Sequence, residues 1–288
     1  MLVILGSIVV LACVVGGYLL EGGHIGVLIQ PAELMIIAGA GFGGLIISSS
    51  PAFIKEMLHQ IFNSLKAKDT SKEEYTEVLM CLYQLFKTGK GNMLALEAHV
   101  EKPEESSIFK GYPFIARNHH ALHFIADTLK VQISSPVSPY DLDDLMTADI
   151  SAAHKDEEKV PATIARVGDA MPGLGIVAAV MGVVITMGKL TQGKEVIGHS
   201  VAAALVGTFT GVLLSYGFFQ PLAAKLESMN GDSGRILEVI KAGLLAFGKE
   251  CSPKVCVEFA RRTIPPQARP SFDDIDKATQ NVKAAAAA

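Results

Sequence analysis

The chain has 288 residues, of which 50% are hydrophobic and 19% charged, with a formal net charge of −4 and a mean hydropathy of +0.37. This composition excludes a disordered chain, which needs low hydrophobicity and high charge. It also argues against a nucleic-acid-binding protein, because 29 acidic residues outnumber 25 basic ones.

Four long windows of the chain contain no Asp, Glu, Lys or Arg. They are residues 2–20, 34–54, 170–188 and 196–224. A helix of about 20 apolar residues crosses the hydrocarbon core of a membrane, and buried helices of soluble proteins seldom run so long without a charge. The windows predict four membrane spans and disfavour the alternative, an all-α soluble core.

The first window is interpreted as a retained span. No basic segment precedes it, and no small-x-small cleavage site follows it before Glu21. Orientation follows from Lys and Arg: residues 22–30 have none and 189–195 have two, whereas 55–169 have 13 and the tail from residue 225 has 10. We expect both termini and the long loop in the cytoplasm. The predicted domains are hairpin 1–54, cytoplasmic domain 55–169, hairpin 170–224 and cytoplasmic tail 225–288.

The long loop has a helical period. Apolar residues recur at i, i+3, i+4 and i+7 spacing, at Tyr75, Val78, Leu79, Leu82, Leu85 and Phe86. We predict a break at 89–91, a short helix at 93–100, and two further helices at 113–129 and 138–159. One or two helices are predicted in 227–259, and Pro265, Pro266 and Pro270 are expected to end regular structure. No alternating strand pattern occurs, so the predicted fold is an all-α membrane protein with a helical cytoplasmic domain between spans two and three.

Side chains that could carry enzyme chemistry are sparse. Cys251 and Cys256 have no neighbouring His pair, so no zinc site is predicted. His119, His120 and His123 lie close together, and the pair 120/123 could share a metal. A polar helix face is the favoured interpretation, since no carboxylate or cysteine completes the set. No phosphate loop, nucleophile elbow or H-E-x-x-H motif occurs, and we expect no enzyme activity and no cofactor.

The spans themselves contain almost no ionisable residues, which usually mark ion pathways. Glu21 and Glu33 flank the first hairpin, and His199 lies near one end of the fourth span. No carboxylate is predicted at mid-membrane depth. Any group that binds a translocated ion is therefore expected to come from another chain.

Small residues and prolines replace charge in these helices. Small residues spaced for close helix contact are Gly39, Gly43 and Gly44, then Gly175, Ala179 and Gly182, then Gly207 and Gly211. Packing within the chain and oligomerisation explain them equally well. Pro172 begins the third window, where a first-turn proline is tolerated, and Pro221 is expected to kink or end the fourth helical run. Simple marking of helix ends is the alternative for both prolines. Thr208 could bond its own helix backbone or face a partner.

Three segments together closely resemble the MotA family of flagellar stator subunits. They read GGYLLEGGHIGVLIQPAELMIIAGAGFGG (16–44), VGDAMPGLGIVAAVMGVV (167–184) and ALVGTFTGVLLSYGFFQPLA (204–223). The tail VEFARRTI…RPSF (257–264 and 269–272) agrees with the family too. The resemblance covers almost the whole chain in order.

This resemblance implies a ring of five copies around two single-span helices of MotB, which supplies the membrane aspartate that binds the ion. The cytoplasmic domain would push on the rotor protein FliG through charged residues. The two functional prolines of the family match Pro172 and Pro221. Ala179 and Thr208 would face the MotB helices, and the protein would lie in the bacterial inner membrane.

Comparison with the family bears on two further questions, namely which ion is translocated and which charges contact the rotor. Sodium-driven relatives carry Thr where this chain has Ala179, so the resemblance implies a proton-driven protein. The family's rotor-facing Glu matches Glu97, but its Arg position falls on Gly89. Lys87 and Lys90 flank that position, and we hypothesise that they supply the positive charge. The alternatives are a TolQ- or ExbB-type energiser of outer-membrane processes, and a stand-alone channel or transporter.

Overall fold

The computed structural model describes residues 2–65, 70–189, 191 and 193–285, with side chains through residue 280. This part of the chain is helical and contains no strand, which confirms the predicted all-α class. Two compact units are present. The first comprises Met1–Ala67 and Glu157–Met229, and the second comprises Lys68–Asp156 and Asn230–Ala288.

The described residues form fifteen α-helices and one π-helical turn. They are α1 (Leu2–Leu20), α2 (Ile25–Leu28), α3 (Pro31–Ser48), α4 (Pro51–Ser64), α5 (Lys72–Gly91), α6 (Met93–Glu101), α7 (Ser107–Lys110), α8 (Pro113–Arg117), α9 (His119–Ser134), α10 (Pro139–Glu157), α11 (Lys159–Met187), α12 (Lys194–Leu214), the π-helical turn (Ser215–Phe219), α13 (Gln220–Gly248), α14 (Pro253–Thr263) and α15 (Phe272–Ala285).

Four candidate membrane spans occur in the described residues, as predicted. The first is α1 and coincides with its charge-free window. The second ends earlier than its window, because α3 stops at Ser48 and a new helix starts at Pro51. The Ser50 side chain caps the new helix by accepting a hydrogen bond from the Phe53 amide at 3.2 Å. Ser50 also precedes Pro51, and a proline disfavours helical geometry at the residue before it. Lack of charge therefore overestimates the length of this helix.

The first unit is held together chiefly by α3, α11 and α12. Ile37, Met171 and Ala178 form one buried apolar cluster where these helices meet. A second cluster contains Leu45, Met57, Val160, Ile164, Ala223 and Leu226. Helix α1, in contrast, buries none of its residues within the chain. Its apolar surface is suited to lipid or to another protein helix.

The second unit contains a conventional apolar core. All six residues that set the helical period, from Tyr75 to Phe86, are buried in it, so that helix prediction is confirmed. Ser71 and Glu74 form a capping box at the start of α5. The predicted break at 89–91 is wrong, because α5 continues to Gly91 and a new helix starts only after Asn92 caps it.

Two further helix predictions for the second unit need correction. The helix expected at 113–129 is interrupted after Arg117, where the Asn118 side chain accepts a hydrogen bond from the Ala121 amide and starts α9. Regular structure also resumes after Pro270, since Ser271 and Asp274 cap α15. Both errors come from capping side chains, which act on single residues and leave the apolar period unchanged.

Candidate functional site

Pro172 lies inside α11 and not at its start. The expectation that it occupies a first helical turn is wrong, because charged residues extend the helix back to Lys159. An interior proline cannot donate to the carbonyl four residues earlier, here that of Gly168. The helix therefore lacks one backbone hydrogen bond at this level, where it contacts the fourth helical run.

Pro221 is preceded by the π-helical turn. The Gln220 amide bonds to the Ser215 carbonyl, five residues back, instead of the usual four. This wider turn leaves room near the Gly217 carbonyl, which the proline ring would otherwise crowd. The helical run does not end at Pro221, which was one of the two predicted outcomes: the helix changes its winding before the proline and then continues as α13.

One polar link joins the two proline-bearing segments. The side-chain amide of Gln220 donates to Asp169 Oδ1 at 2.6 Å and to the Ala165 carbonyl at 3.4 Å. Asp169 is three residues before Pro172, and Gln220 is next to Pro221. Neither polar residue was singled out in the sequence analysis, although both lie within three residues of a proline in the quoted segments.

Glycines bring α11 and α12 into backbone contact beside the candidate ion-pathway residues. A Cβ atom at Gly175 would lie 2.7 Å from the Gly207 carbonyl and 3.3 Å from Thr208 Cα, and one at Gly207 would lie 3.3 Å from the Ala179 nitrogen. Ala179 and Thr208 are therefore on adjoining turns of two closely packed helices. Both side chains are partly exposed in the single chain.

Glu33 does not lie at the surface of the first hairpin. It is 8% exposed in α3, and its carboxyl oxygens lie against Gly182 of α11 and Gly207 of α12. Both glycines belong to charge-free windows. Glu33 lies in the first turn of α3, near a span end as predicted, and its side chain enters the contact between two other helices.

The rotor-facing candidates lie on the second unit. Lys87 and Lys90 are exposed on α5, and Glu97 is partly exposed on α6. Lys90 lines one groove and Glu97 a second, and Met93 borders both. No ion pair links Glu97 to either lysine among the described residues. At Gly89 a Cβ would lie 2.7 Å from Leu96 Cδ2 and 3.0 Å from Phe247 Cζ, so any larger residue at this position would have to displace the buried Leu96 side chain.

The histidine cluster differs from the predicted one. His119 and His123, one helical turn apart, share a site with Glu104, with ligand atoms within 4.8 Å of one another. His120 is not part of it. The statement that no carboxylate completes the set is wrong, because Glu104 comes from the turn after α6. All three side chains are exposed, and the His119–Glu104 distance is 3.7 Å.

Residues 4–92 match the family "Motility protein A N-terminal", and residues 116–238 match the "MotA/TolQ/ExbB proton channel family". Motility protein A of Escherichia coli (strain K12) is 40% identical over 285 residues, which is 98% of this chain and 96% of the relative. The chain belongs to the motility protein A family. Chemotaxis protein LafT of Vibrio parahaemolyticus is 34% identical, over 95% of this chain and 96% of that one.

Solved structures of motility protein A complexes share the fold. The C. jejuni MotAB structure aligns with a TM-score of 0.76 at 17% identity, covering 94% of this chain and 98% of that chain. The flagellar MotAB stator complex from Bacillus subtilis aligns with a TM-score of 0.73 at 22% identity, covering 92% and 96%. The resemblance read from the three sequence segments is confirmed. The 40% identity to motility protein A, over 96% of that relative, favours the flagellar type over TolQ or ExbB.

Proposed function

We propose that this chain is a flagellar stator subunit that, together with MotB, couples ion flow across the inner membrane to torque on the rotor. The observation that carries the proposal is the 40% identity to motility protein A over 98% of the chain. The two proline segments, linked through Gln220 and Asp169, supply a place where helices can change shape. No enzymatic role is proposed.

At the membrane, MotB supplies the aspartate that binds the ion, and five copies of this chain form a ring around two MotB helices. Ala179 and Thr208 face those helices. Pro172 and Pro221 lie where α11 and the π-helical turn are imperfectly bonded, so a small change in helix bend costs little there. Both termini and the second unit lie in the cytoplasm, in keeping with the Lys and Arg distribution.

The proposed ion is the proton. Ala179 offers a methyl group where sodium-driven relatives carry a hydroxyl, and a partly dehydrated sodium ion needs oxygen ligands. A proton needs only a carboxylate and water. The name of the matching family, a proton channel family, is in keeping with this assignment.

Torque would pass from the second unit to FliG through charged side chains. Glu97 supplies the negative charge, and Lys90 with Lys87 supplies the positive charge. The tight packing at Gly89 supports a role for the lysines in place of the family's arginine. Lys87 and Lys90 are the exposed basic residues on that stretch of α5. Lysines act here as flexible point charges without the paired geometry of arginine.

Deletion of the gene tests the function. We expect cells that keep their flagella but do not swim, and swimming restored by the chain expressed with its MotB. Swimming speed should be independent of Na⁺ at fixed pH and should collapse with a protonophore. Sodium-dependent speed that survives the protonophore would reject the proton assignment.

The same experiment separates the alternatives. Normal swimming with defective outer-membrane transport would favour a TolQ- or ExbB-type energiser. Ion flux through the purified chain, reconstituted without any partner, would favour a stand-alone channel.

A further inference from the structure

Glu33 is the buried acid of the first unit that the proposed mechanism does not use. Its side chain is 8% exposed, and Oε2 is fully buried without a hydrogen-bond partner among the described residues. A buried carboxyl oxygen without a partner is uncommon in folded proteins and marks either strain or function.

The Glu33 carboxyl occupies a slot that exists because Gly182 and Gly207 have no side chains. A Cβ at Gly207 would lie 2.8 Å from Glu33 Oε2, and a Cβ at Gly182 would lie 3.2 Å from Oε1 and 2.8 Å from Ala204 Cβ. Any larger residue at either glycine would displace the carboxyl. The two glycines therefore do more than let the helices approach, because the space they leave is filled by Glu33.

Among the described residues, no side chain forms an ion pair or hydrogen bond with the Glu33 carboxyl, and Lys189 and His24 lie in the connections outside the helices that form the slot. Gly182 belongs to α11, where Thr186 uses its hydroxyl to bond the Gly182 carbonyl at 2.8 Å. The acid of α11, Asp169, bonds Gln220. The ionisable residues of α12, namely Lys194, Glu195 and His199, are exposed and lie at least one turn before Ala204. Helices α2 and α3 offer no other ionisable side chain near the slot.

An ionised carboxylate in such a slot would be unpaired and poorly solvated, which is costly in an apolar environment. A neutral carboxyl avoids most of that cost. Entry of the side chain into the slot is therefore favoured with a proton bound, and its exit into water or toward a polar partner is favoured with the proton released.

We propose that Glu33 is a proton-binding residue of the ion pathway, which takes up a proton on entering the slot between Gly182 and Gly207 and releases it on leaving. On entry the carboxylate accepts one proton from hydronium and leaves water; on exit it gives that proton to water or to a partner's carboxylate. The slot adjoins the backbone of Ala179 and is one residue from Thr208. The inference rests on the proposed function and adds a second acid to the MotB aspartate.

The test uses the whole chain expressed with its MotB in cells that lack their own stator. Glu33→Gln keeps the size and neutrality of the seated carboxyl but cannot release a proton. We expect unchanged membrane level and unchanged co-purification with MotB, with proton influx reduced about tenfold or more. The matched control is Glu21→Gln, an exposed acid of the same hairpin, which should leave influx and swimming unchanged.

Glu33→Asp is the second variant, since it is titratable but shorter and more acidic. We expect reduced influx whose pH dependence moves to lower pH. Influx through Glu33→Gln within about twofold of the unmodified complex would overturn the proposal. If Glu33→Gln does not assemble, an assembled Glu33→Asp with an unchanged pH profile would overturn it, as would failure of both variants to assemble. Absence of influx through the unmodified complex would instead reject the proposed function.

Discussion

Two arginines of the tail stabilise the connection between α14 and α15 through hydrogen bonds. Arg261 donates to both carboxylate oxygens of Glu258, at 2.7 and 2.8 Å, and to the Pro270 carbonyl at 3.0 Å. Arg269 donates to the Ile264 carbonyl at 2.9 Å. These are the residues of the tail segment that resembles the MotA family. Their contacts explain why the chain can turn through a proline-rich stretch and form another helix.

Glu258→Gln should lower the stability of the folded chain at neutral pH. The pKa of Glu258 is lowered to about 2, first because Arg261 hydrogen-bonds its carboxylate. Such stabilisation is complete above the ordinary pKa of 4.5 and is lost as the pH falls toward 2. We expect a loss of about 1–2 kcal/mol, measured as a lower apparent Tm of the purified chain at pH 7.

The difference between Glu258→Gln and the unmodified chain should shrink steadily below pH 4.5. Glu238→Gln is the control, because Glu238 is exposed and has no ion pair in the described part of the chain. A constant difference in Tm from pH 7 to pH 3 would show that the Glu258 carboxylate charge is not what stabilises this turn.

Partners of single polar residues are the part of the site that the sequence does not reveal. Ala179 and Thr208 could be nominated from a resemblance, and the structure places them on adjoining turns. Glu33 and Gln220 could not, because their roles depend on which distant helix each side chain meets. Proximity in sequence to a span end or a proline is the only signal they carry.

At the scale of helices, some glycines of the spans lie in helix contacts within the chain, whereas others face open space. A Cβ at Gly211 would collide with the Met171 carbonyl and lie 3.0 Å from Gly175 Cα, whereas a Cβ at Gly39 or Gly43 would meet nothing within 4 Å. Packing within the chain and oligomerisation explained the glycine spacing equally well, and the structure now distinguishes them glycine by glycine. Gly175 and Gly211 serve packing within the chain.

Gly211→Ala should destabilise the contact between α11 and α12. The added methyl meets backbone atoms that cannot rotate away, so the helices must separate, at a cost of about 1–3 kcal/mol. Gly173→Ala is the control on α11, where a Cβ meets nothing within 4 Å and alanine favours the helix by up to about 1 kcal/mol. The apparent Tm of the purified chain measures both. Equal Tm values for the two variants would contradict the close backbone contact.

Helix existence was predictable, but helix extent was not. Charge-free windows located all four spans, because lipid excludes charge. They misplaced Pro172, since α11 continues through charged residues to Lys159 outside its window. Hydrogen bonding extends a helix wherever caps and prolines permit, irrespective of charge. The window therefore marks the apolar stretch and not the helix.

At the scale of the whole molecule, charge is divided between the two units. The average of 19% charged residues combines nearly uncharged spans with a densely charged second unit. The single embedded acid among the described span residues, Glu33, is buried between helices, whereas Lys87, Lys90 and Glu97 remain accessible. This division suits a protein that handles an ion in one unit and meets a protein partner with the other.

Charge reversal at Lys87 and Lys90 tests the proposed rotor surface. Each lysine is exposed, so the single substitutions Lys87→Glu and Lys90→Glu should leave folding and membrane level unchanged. An exposed charge contact contributes up to about 1 kcal/mol, equivalent to about fivefold in recruitment to the motor. We expect the double substitution to reduce recruitment and swimming more than either single one. A compensating reversal on FliG should restore both.

Lys110→Glu is the control for a general effect of charge, because Lys110 is an exposed lysine of α7. Intact swimming and recruitment in the double variant would remove both lysines from the rotor contact and leave Glu97 without its proposed counterpart.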